Sequence, residues 1–220
     1  MRYVWRVCAA QAKPAAKERA YQTLKERILT GELRGGTLLG EADVAAELGM
    51  SRTPVREAFI RLASQDLLRI YPKRGALVVP VSADEVDAVI ETRVAVEAYA
   101  VERLVTRGTD VAAELREALE RQERIVADGD PAGFVDADRA LHRLIVERGS
   151  NHILLGLYDS LRDRQRRLGT SMVQRDPAHV AASIDEHRRL VDAIAAGDAA
   201  AARQALEAHL AATRQRLLDR

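Results

Sequence analysis

The stretch that most limits what this chain can fold into is residues 51–62, Ser51-Arg52-Thr53-Pro54-Val55-Arg56-Glu57-Ala58-Phe59-Ile60-Arg61-Leu62. It carries its own helix start. Ser51 is a residue type that caps helix N-termini by accepting a hydrogen bond from an amide two or three residues on. Pro54 falls in the first turn, where a missing N–H costs nothing. Val55, Ala58, Phe59 and Leu62 recur at helical spacing and predict one buried stripe. Arg52, Arg56 and the hydroxyls of Ser51 and Thr53 lie on the other side, near the end where free amides already place partial positive charge. A helix built this way can set its first turn against phosphates and direct an arginine fork at guanine in a major groove.

The neighbouring segments give that helix a context. Residues 41–48 (EADVAAEL) predict a short helix with Val44, Ala45 and Leu48 inward, and Gly49-Met50 leads into the next cap. Helix, short glycine-containing turn, helix is the helix-turn-helix pattern; a structural helix pair with surface arginines would show the same pattern. Residues 17–30 predict an amphipathic helix bearing Ala20, Tyr21, Leu24 and Ile28, closed by Gly31. Residues 67–70 and 76–79 are short apolar runs around Tyr71-Pro72-Lys73-Arg74-Gly75, which predicts a β-hairpin with a basic tip. Pro80 ends its second strand and Ser82 is placed to cap the next segment, so a boundary falls within residues 80–83.

Several of these residues together carry a resemblance. They are the helix ending Ile28-Leu29-Thr30-Gly31, the turn Gly36-Thr37-Leu38-Leu39, and Glu41 followed by Val44-Ala45 and Leu48-Gly49. The run SRTPVREA is the most distinctive, followed by Leu62, Leu67-Leu68 and Arg74-Gly75-Ala76. With them, residues 17–80 resemble the winged-helix domain of the GntR superfamily of bacterial transcription regulators. The resemblance implies that Ser51, Arg52, Thr53 and Arg56 contact phosphates and bases of duplex DNA, and that Arg74 and Gly75 at the wing tip reach the minor groove. Some members carry a base-reading arginine directly after the glutamate matching Glu41. Here that position is Ala42, so their operator sequence does not carry over.

From residue 83 onward every segment has a helical period and no strand alternation. Breaks at 107–109, 128–131, 149–151, 169–177 and 197–198 cut the region into about six helices, and short connections between amphipathic helices predict an antiparallel bundle. The expected fold is therefore mainly α. An N-terminal winged helix-turn-helix with a small β-hairpin wing (residues 15–80) precedes an all-α antiparallel bundle (residues 84–215), and residues 1–14 form an N-terminal arm. With 47% apolar and only 4% aromatic residues, composition suits a largely helical globular chain. Charge is divided: residues 1–82 carry 14 Lys and Arg against 8 Asp and Glu, and residues 83–220 carry 20 against 25. A basic part joined to an acidic part suits a DNA-binding module beside a regulatory one. No apolar run approaches the roughly 20 residues that span a bilayer. The N-terminus is interrupted by Arg2 and Arg6, and the one cysteine, Cys8, has no intrachain partner. These features predict a cytoplasmic protein with no membrane partner.

Histidine placement supplies a second chemical argument. Asp138 and His142 are four apart on one predicted helix and so share a face. His187 and His209 lie on the last two predicted helices, and the Gly197-Asp198 break between them would fold those helices antiparallel. Three imidazoles and a carboxylate suit a divalent ion such as zinc, nickel or manganese. Each residue taken alone is more often a surface or satisfied core side chain, and Asp138 with His142 also fits a simple helix ion pair.

Residues 84–215 also resemble the FCD ligand-binding domain of the FadR subfamily. That resemblance implies a metal held by an Asp-x3-His pair and two later histidines, which Asp138, His142, His187 and His209 match in order. Some members lack metal and bind acyl-CoA instead, and the presence of all four ligand types argues against that branch. It further implies that Arg93 holds the carboxylate of a small organic-acid effector, although an ion pair with Glu97 at i+4 is the plainer reading of the same residue. Asn151 is a weaker candidate for a polar contact in the same pocket. His152 and His179 fall outside the pattern, and the arginines at 162, 164, 166 and 167 read as a solvated face. The function expected is a DNA-binding transcription regulator, a homodimer on a palindromic operator, responding to a carboxylate at or near the metal. Two alternatives belong to other classes, a metal-dependent enzyme and a ligand-free DNA-binding structural protein.

Overall fold

The computed structural model describes residues 15–219; the arm expected over residues 1–14 lies outside them. The chain divides into two compact units, the first ending at Val79 and the second beginning at Pro80, with Leu29–Glu32 grouped with the second.

The first unit contains α1 (Ala16–Leu29), β1 (Leu38–Leu39), α2 (Glu41–Glu47), α3 (Arg52–Ala63), β2 (Leu68–Tyr71) and β3 (Gly75–Val78). The stripe of α3 foreseen from its spacing is buried, as are Ala20, Leu24 and Ile28 of α1 and Val44 and Ala45 of α2. Tyr21 ties α1 to α3. Its hydroxyl donates to Gln65 at 3.0 Å, and the Arg61 guanidinium sits 3.6 Å from its ring centroid while bonding Glu18 at 2.7 Å. At the end of α2 the Met50 amide donates to the Ala45 carbonyl (2.9 Å) and the Gly49 amide to Ala46 (3.2 Å). That pair of bonds needs a left-handed residue at Gly49, whose φ is +62°. This turn is what starts α3 at a fixed angle.

The sheet has one strand more than the expected hairpin. Leu38 and Leu39, read as part of a turn, pair antiparallel with β3 (Leu38 with Leu77, Leu39 with Ala76), giving the order β1-β3-β2. Two residues are too few for a period-of-two pattern to show. In the wing, Tyr71 pairs with Gly75, and the Arg74 amide donates to the Tyr71 carbonyl at 3.0 Å. Pro72 takes the second position of this turn and Lys73, at φ +64°, the third, as a type II turn requires.

The second unit contains α4 (Ala83–Thr106), α5 (Ala112–Ala127), α6 (Pro131–Gly149), α7 (His152–Ser160), α8 (Arg162–Arg175), α9 (Ala178–Ala195) and α10 (Ala199–Leu218). Helix starts follow the sequence signals: Ser82 accepts from the Glu85 amide, Asp130 from Gly133 and Asp198 from Ala201. α4 packs against α6 and α10, α5 against α6 and α9, and α9 against α10. Phe134, Leu141, Ile145, Tyr158, Leu190 and Leu206 are fully buried between them. No helix among the described residues is long and apolar enough to cross a membrane.

Seven helices stand where about six were expected. Gly169, taken as a break, lies inside α8; a Cβ there would come within 2.8 Å of Val135 Cγ1, so glycine serves the close approach of α8 to α6. The missed break is Leu161, which closes α7 and opens α8 in a helical backbone conformation without glycine or proline to announce it. The α8 arginines are also not simply solvated. Arg167 is 8% exposed and bonds Glu85 of α4, and Arg166 pairs with Asp136 of α6 at 2.9 Å.

Candidate functional sites

In the first unit, Ser51, Arg52, Thr53 and Arg56 are all exposed at the N-terminal end of α3, and Arg74 is exposed at the wing tip. The nearest carboxylate to Arg56 Nε given by the structure, Glu41 Oε1, is 3.8 Å away, and the arginine side chain is 72% exposed. One expectation fails. Ser51 is the N-cap by position, but its hydroxyl accepts no cap bond. Pro54 removes one of the two amides such a cap can use: Ser82 and Asp198 cap through the amide three residues on, and Pro54 occupies that position with no N–H to give. Gly75 has a local structural reason to be glycine. Its φ is +105°, and a Cβ would run into the carbonyl oxygen of Leu39 on β1.

In the second unit, Asp138 and His142 on α6, His187 on α9 and His209 on α10 converge, with their ligand atoms all within 4.8 Å of one another. His142 Nε2 is 3.2 Å from His187 Nε2, which is 3.4 Å from His209 Nε2 and 3.3 Å from Asp138 Oδ1. The α9–α10 reversal at Gly197 brings the last two imidazoles to one level of the bundle. Each histidine is fixed from behind through Nδ1: His142 by Glu97 Oε2 (2.7 Å), His187 by Gln122 Oε1 (2.8 Å) and His209 by Glu186 Oε2 (2.8 Å). Gln122 donates its Nε2 to the Ala137 carbonyl at 3.2 Å, which leaves Oε1 facing His187. With acceptors behind all three rings, the protons lie on Nδ1 and the Nε2 lone pairs point at one another and at a carboxylate. Such a cluster of lone pairs could hold a cation. Ligand atoms about 2.0–2.1 Å from a tetrahedral zinc ion lie about 3.3 Å apart, close to the separations found here.

Electrostatics keeps His187, His209 and Asp138 in ligand form. Burial, with His187 beside it, pushes His209 down to about 3, and burial also lowers His187. Burial opposes the charge on Glu97, but Arg93 and His142 hold its carboxyl at about 2. Burial likewise opposes the charge on Asp138, which its surroundings, Arg93 among them, nonetheless hold well below the usual carboxylate range. Glu97, Gln122 and Glu186 escaped sequence reasoning as site residues. Only Glu97 left a signal, its i+4 spacing from Arg93.

Glu97 is a hub. Its Oε1 accepts from Arg93 Nε (2.7 Å) and from the Tyr158 hydroxyl (2.9 Å), while Oε2 takes His142. The expected ion pair of Arg93 is therefore present, yet Arg93 is 7% exposed and its Nη2 is buried without a hydrogen-bond partner. Arg93 lines a cavity of about 40 Å³ together with Asp138, Tyr158 and His209. Asn151 is placed elsewhere. It is exposed, does not line this cavity, and its carboxamide oxygen caps α7 by accepting from Ile153 and Leu154. A pocket contact from Asn151 is thereby corrected to a helix cap. His152 is exposed, and His179 lies 3.7 Å from Asp176; neither joins the cluster.

Residues 16–78 match the family described as bacterial regulatory proteins, gntR family, and residues 88–212 match the FCD domain. An HTH-type transcriptional regulator in an unstable DNA locus of Streptomyces ambofaciens is 35% identical over 87% of this chain and 80% of its own length. A "probable D-xylose utilization operon transcriptional repressor" of Paenarthrobacter nicotinovorans is 32% identical over 84% of this chain and 81% of its own. A crystal structure of a GntR-type protein from Rhodococcus sp. RHA1 superposes with a TM-score of 0.73 at 28% identity, covering 92% of this chain and 97% of that one.

Proposed function

The chain belongs to the GntR family of bacterial regulatory proteins and carries an FCD domain, which makes it a DNA-binding transcription regulator, and from that premise we propose that it responds to a small carboxylate effector bound beside a divalent metal. Its relatives are transcription regulators and not enzymes, which sets aside metal-dependent catalysis. In this reading residues 15–80 form the DNA-binding domain and residues 84–215 the effector- and metal-binding domain of a cytoplasmic protein.

The observation that carries the proposal is the ring of inward Nε2 lone pairs, each fixed by an acceptor behind its imidazole. Asp138, His142, His187 and His209 would hold the ion, and nickel, manganese and zinc all suit that donor set. A bound ion supplies fixed positive charge at the cavity wall. Arg93, neutralised on one side by Glu97, lines the same cavity and has an Nη2 without a hydrogen-bond partner, and in this reading its guanidinium receives a carboxylate there.

On the DNA side, the exposed start of α3 enters the major groove, where Arg52 and Arg56 read base edges and Ser51 and Thr53 meet phosphate. Arg74, with Gly75 shaping the wing tip, follows the minor groove. One such helix reads too few bases for tight specific binding, so a symmetric homodimer on a palindromic operator is the working form. The effector alters DNA affinity by binding two arrangements of the dimer unequally.

His187→Ala tests the metal half. Metal content after dialysis should fall well below one ion per chain and the effector response should vanish, while operator affinity stays near wild type. Full metal retention would remove His187 from the site. Selectivity for one operator over bulk DNA in a competition assay separates a regulator from a structural DNA-binding protein.

A further inference from the structure

Each group that steadies an imidazole from behind needs a hold of its own, and the three holds differ. Glu97 is fully buried and fixed by Arg93 and Tyr158; Gln122, also fully buried, is fixed by the Ala137 carbonyl. Glu186 lies nearer the surface, its side chain 14% exposed, where a carboxylate can turn toward water. Resting on the metal half of the reading above, we propose that Arg216 is a positioning residue for that site. It holds Glu186 so that Oε2 keeps His209 in ligand orientation.

Arg216 stands two turns after His209 on α10, on the same face of the helix. Its guanidinium takes both oxygens of Glu186 on α9: Nη2 donates to Oε1, and Nη1 donates to Oε2 at 3.1 Å. A two-point hold fixes the plane of the carboxylate, which a single bond leaves free to rotate. Oε2 is then set to accept from His209 Nδ1 at 2.8 Å. The fork is itself anchored. Nη1 also reaches Ser183 Oγ at 3.4 Å, and that buried hydroxyl is oriented by its own bond to the His179 carbonyl at 3.0 Å. Charge and geometry pull in opposite directions here. Removing a cation from the neighbourhood of a metal site tightens metal binding, whereas releasing the carboxylate behind a ligating histidine loosens it. The sign of the change therefore separates an arginine that positions from one that only contributes charge. An arginine that merely staples α10 to α9 would affect stability and leave metal affinity alone.

Competition between the full-length protein and a chelator of known strength, with zinc as the probe, tests this. Arg216→Ala should weaken zinc binding about tenfold, the lower end of the range for groups behind a ligating histidine. Arg216→Lys should recover little of that loss, because an ammonium keeps the charge but not the planar fork. In a Glu186→Ala background, Arg216→Ala should cost nothing further, since the arginine acts through the carboxylate. Nitrogen-15 NMR of the metal-free protein gives a readout independent of loading. The His209 ring should keep its proton on Nδ1 in the wild type and share it between both nitrogens in Arg216→Ala. Tighter or unchanged zinc binding in Arg216→Ala, full recovery by lysine, an unaltered tautomer, or an undiminished loss in the Glu186→Ala background each overturns the positioning role and leaves the metal reading standing. A wild type that retains no zinc, nickel or manganese removes both.

Discussion

Nδ1 of His142 lies 2.7 Å from Oε2 of Glu97, and the other oxygen of the same carboxylate takes Nε of Arg93 at 2.7 Å. One buried side chain thus orients a candidate metal ligand and a candidate effector contact together. The two sites share a support, and a change at Glu97 is felt at both.

Replacing Glu97 with Gln keeps the shape and removes the charge. Apparent metal affinity, measured by competition with a chelator of known strength, should fall by roughly 10–100-fold, the usual cost of losing a partner behind a ligating histidine. Unchanged affinity would show that the orientation of His142 does not depend on this carboxylate.

Arg52→Ala should weaken operator binding by about 1–3 kcal/mol and relax selectivity at the base pair it reads. Fluorescence anisotropy on matched and single-substituted duplexes at fixed salt measures both. Wild-type affinity in the variant would exclude Arg52 from the interface.

Gly75→Ala places a methyl group against the Leu39 carbonyl at a backbone angle that L-residues avoid. A loss of about 1–3 kcal/mol in a denaturant melt is expected, in the range of strained left-handed positions. Any loss of DNA affinity in this variant should track the altered wing. A variant as stable as the wild type would mean that β1 does not pair with β3 in solution.

The metal-stripped protein should be acid-labile in a defined window. The unfolded chain takes up a proton at His209 near its ordinary value of 6.5, while burial beside His187 holds the folded value at about 3. Between those limits the unfolded state binds the extra proton, so stability falls as pH drops. Glu97 and Glu186, held at about 2 against an ordinary 4.5, act with the same sign lower down: their contribution is complete above 4.5 and disappears toward pH 2. Melting temperatures of chelator-treated protein should decline steadily below pH 6.5. A flat profile down to about pH 5 would show that the imidazoles are hydrated in solution.

Much of this was legible from residue spacing, because helices repeat every 3.6 residues and announce their faces. The buried stripe of α3, the hairpin and the placement of Asp138, His142, His187 and His209 on three helices all follow from that period. What the period cannot report is which side chains from distant helices meet behind a ligand. Gln122 and Glu186 sit in α5 and α9 like any polar helix residue, and only the packed bundle reveals them behind His187 and His209. Gly169 misled for a related reason. A glycine chosen for the close approach of a neighbouring helix looks, in one dimension, like a glycine that ends one. The Ser51 cap was misjudged although part of the information was adjacent, since Pro54 stands at one of the two positions from which a cap donor comes.

That proline has a further consequence. A helix that caps itself satisfies its own first turn and has less to offer a visitor; α3 begins with its serine hydroxyl uncommitted. Pro54→Ala would restore the amide, letting Ser51 close on its own backbone and making the free protein sturdier. The same change would set an internal rival against any phosphate oxygen that approached, so under the proposed DNA reading the missing hydrogen bond keeps the tip of α3 receptive at the expense of its stability in isolation.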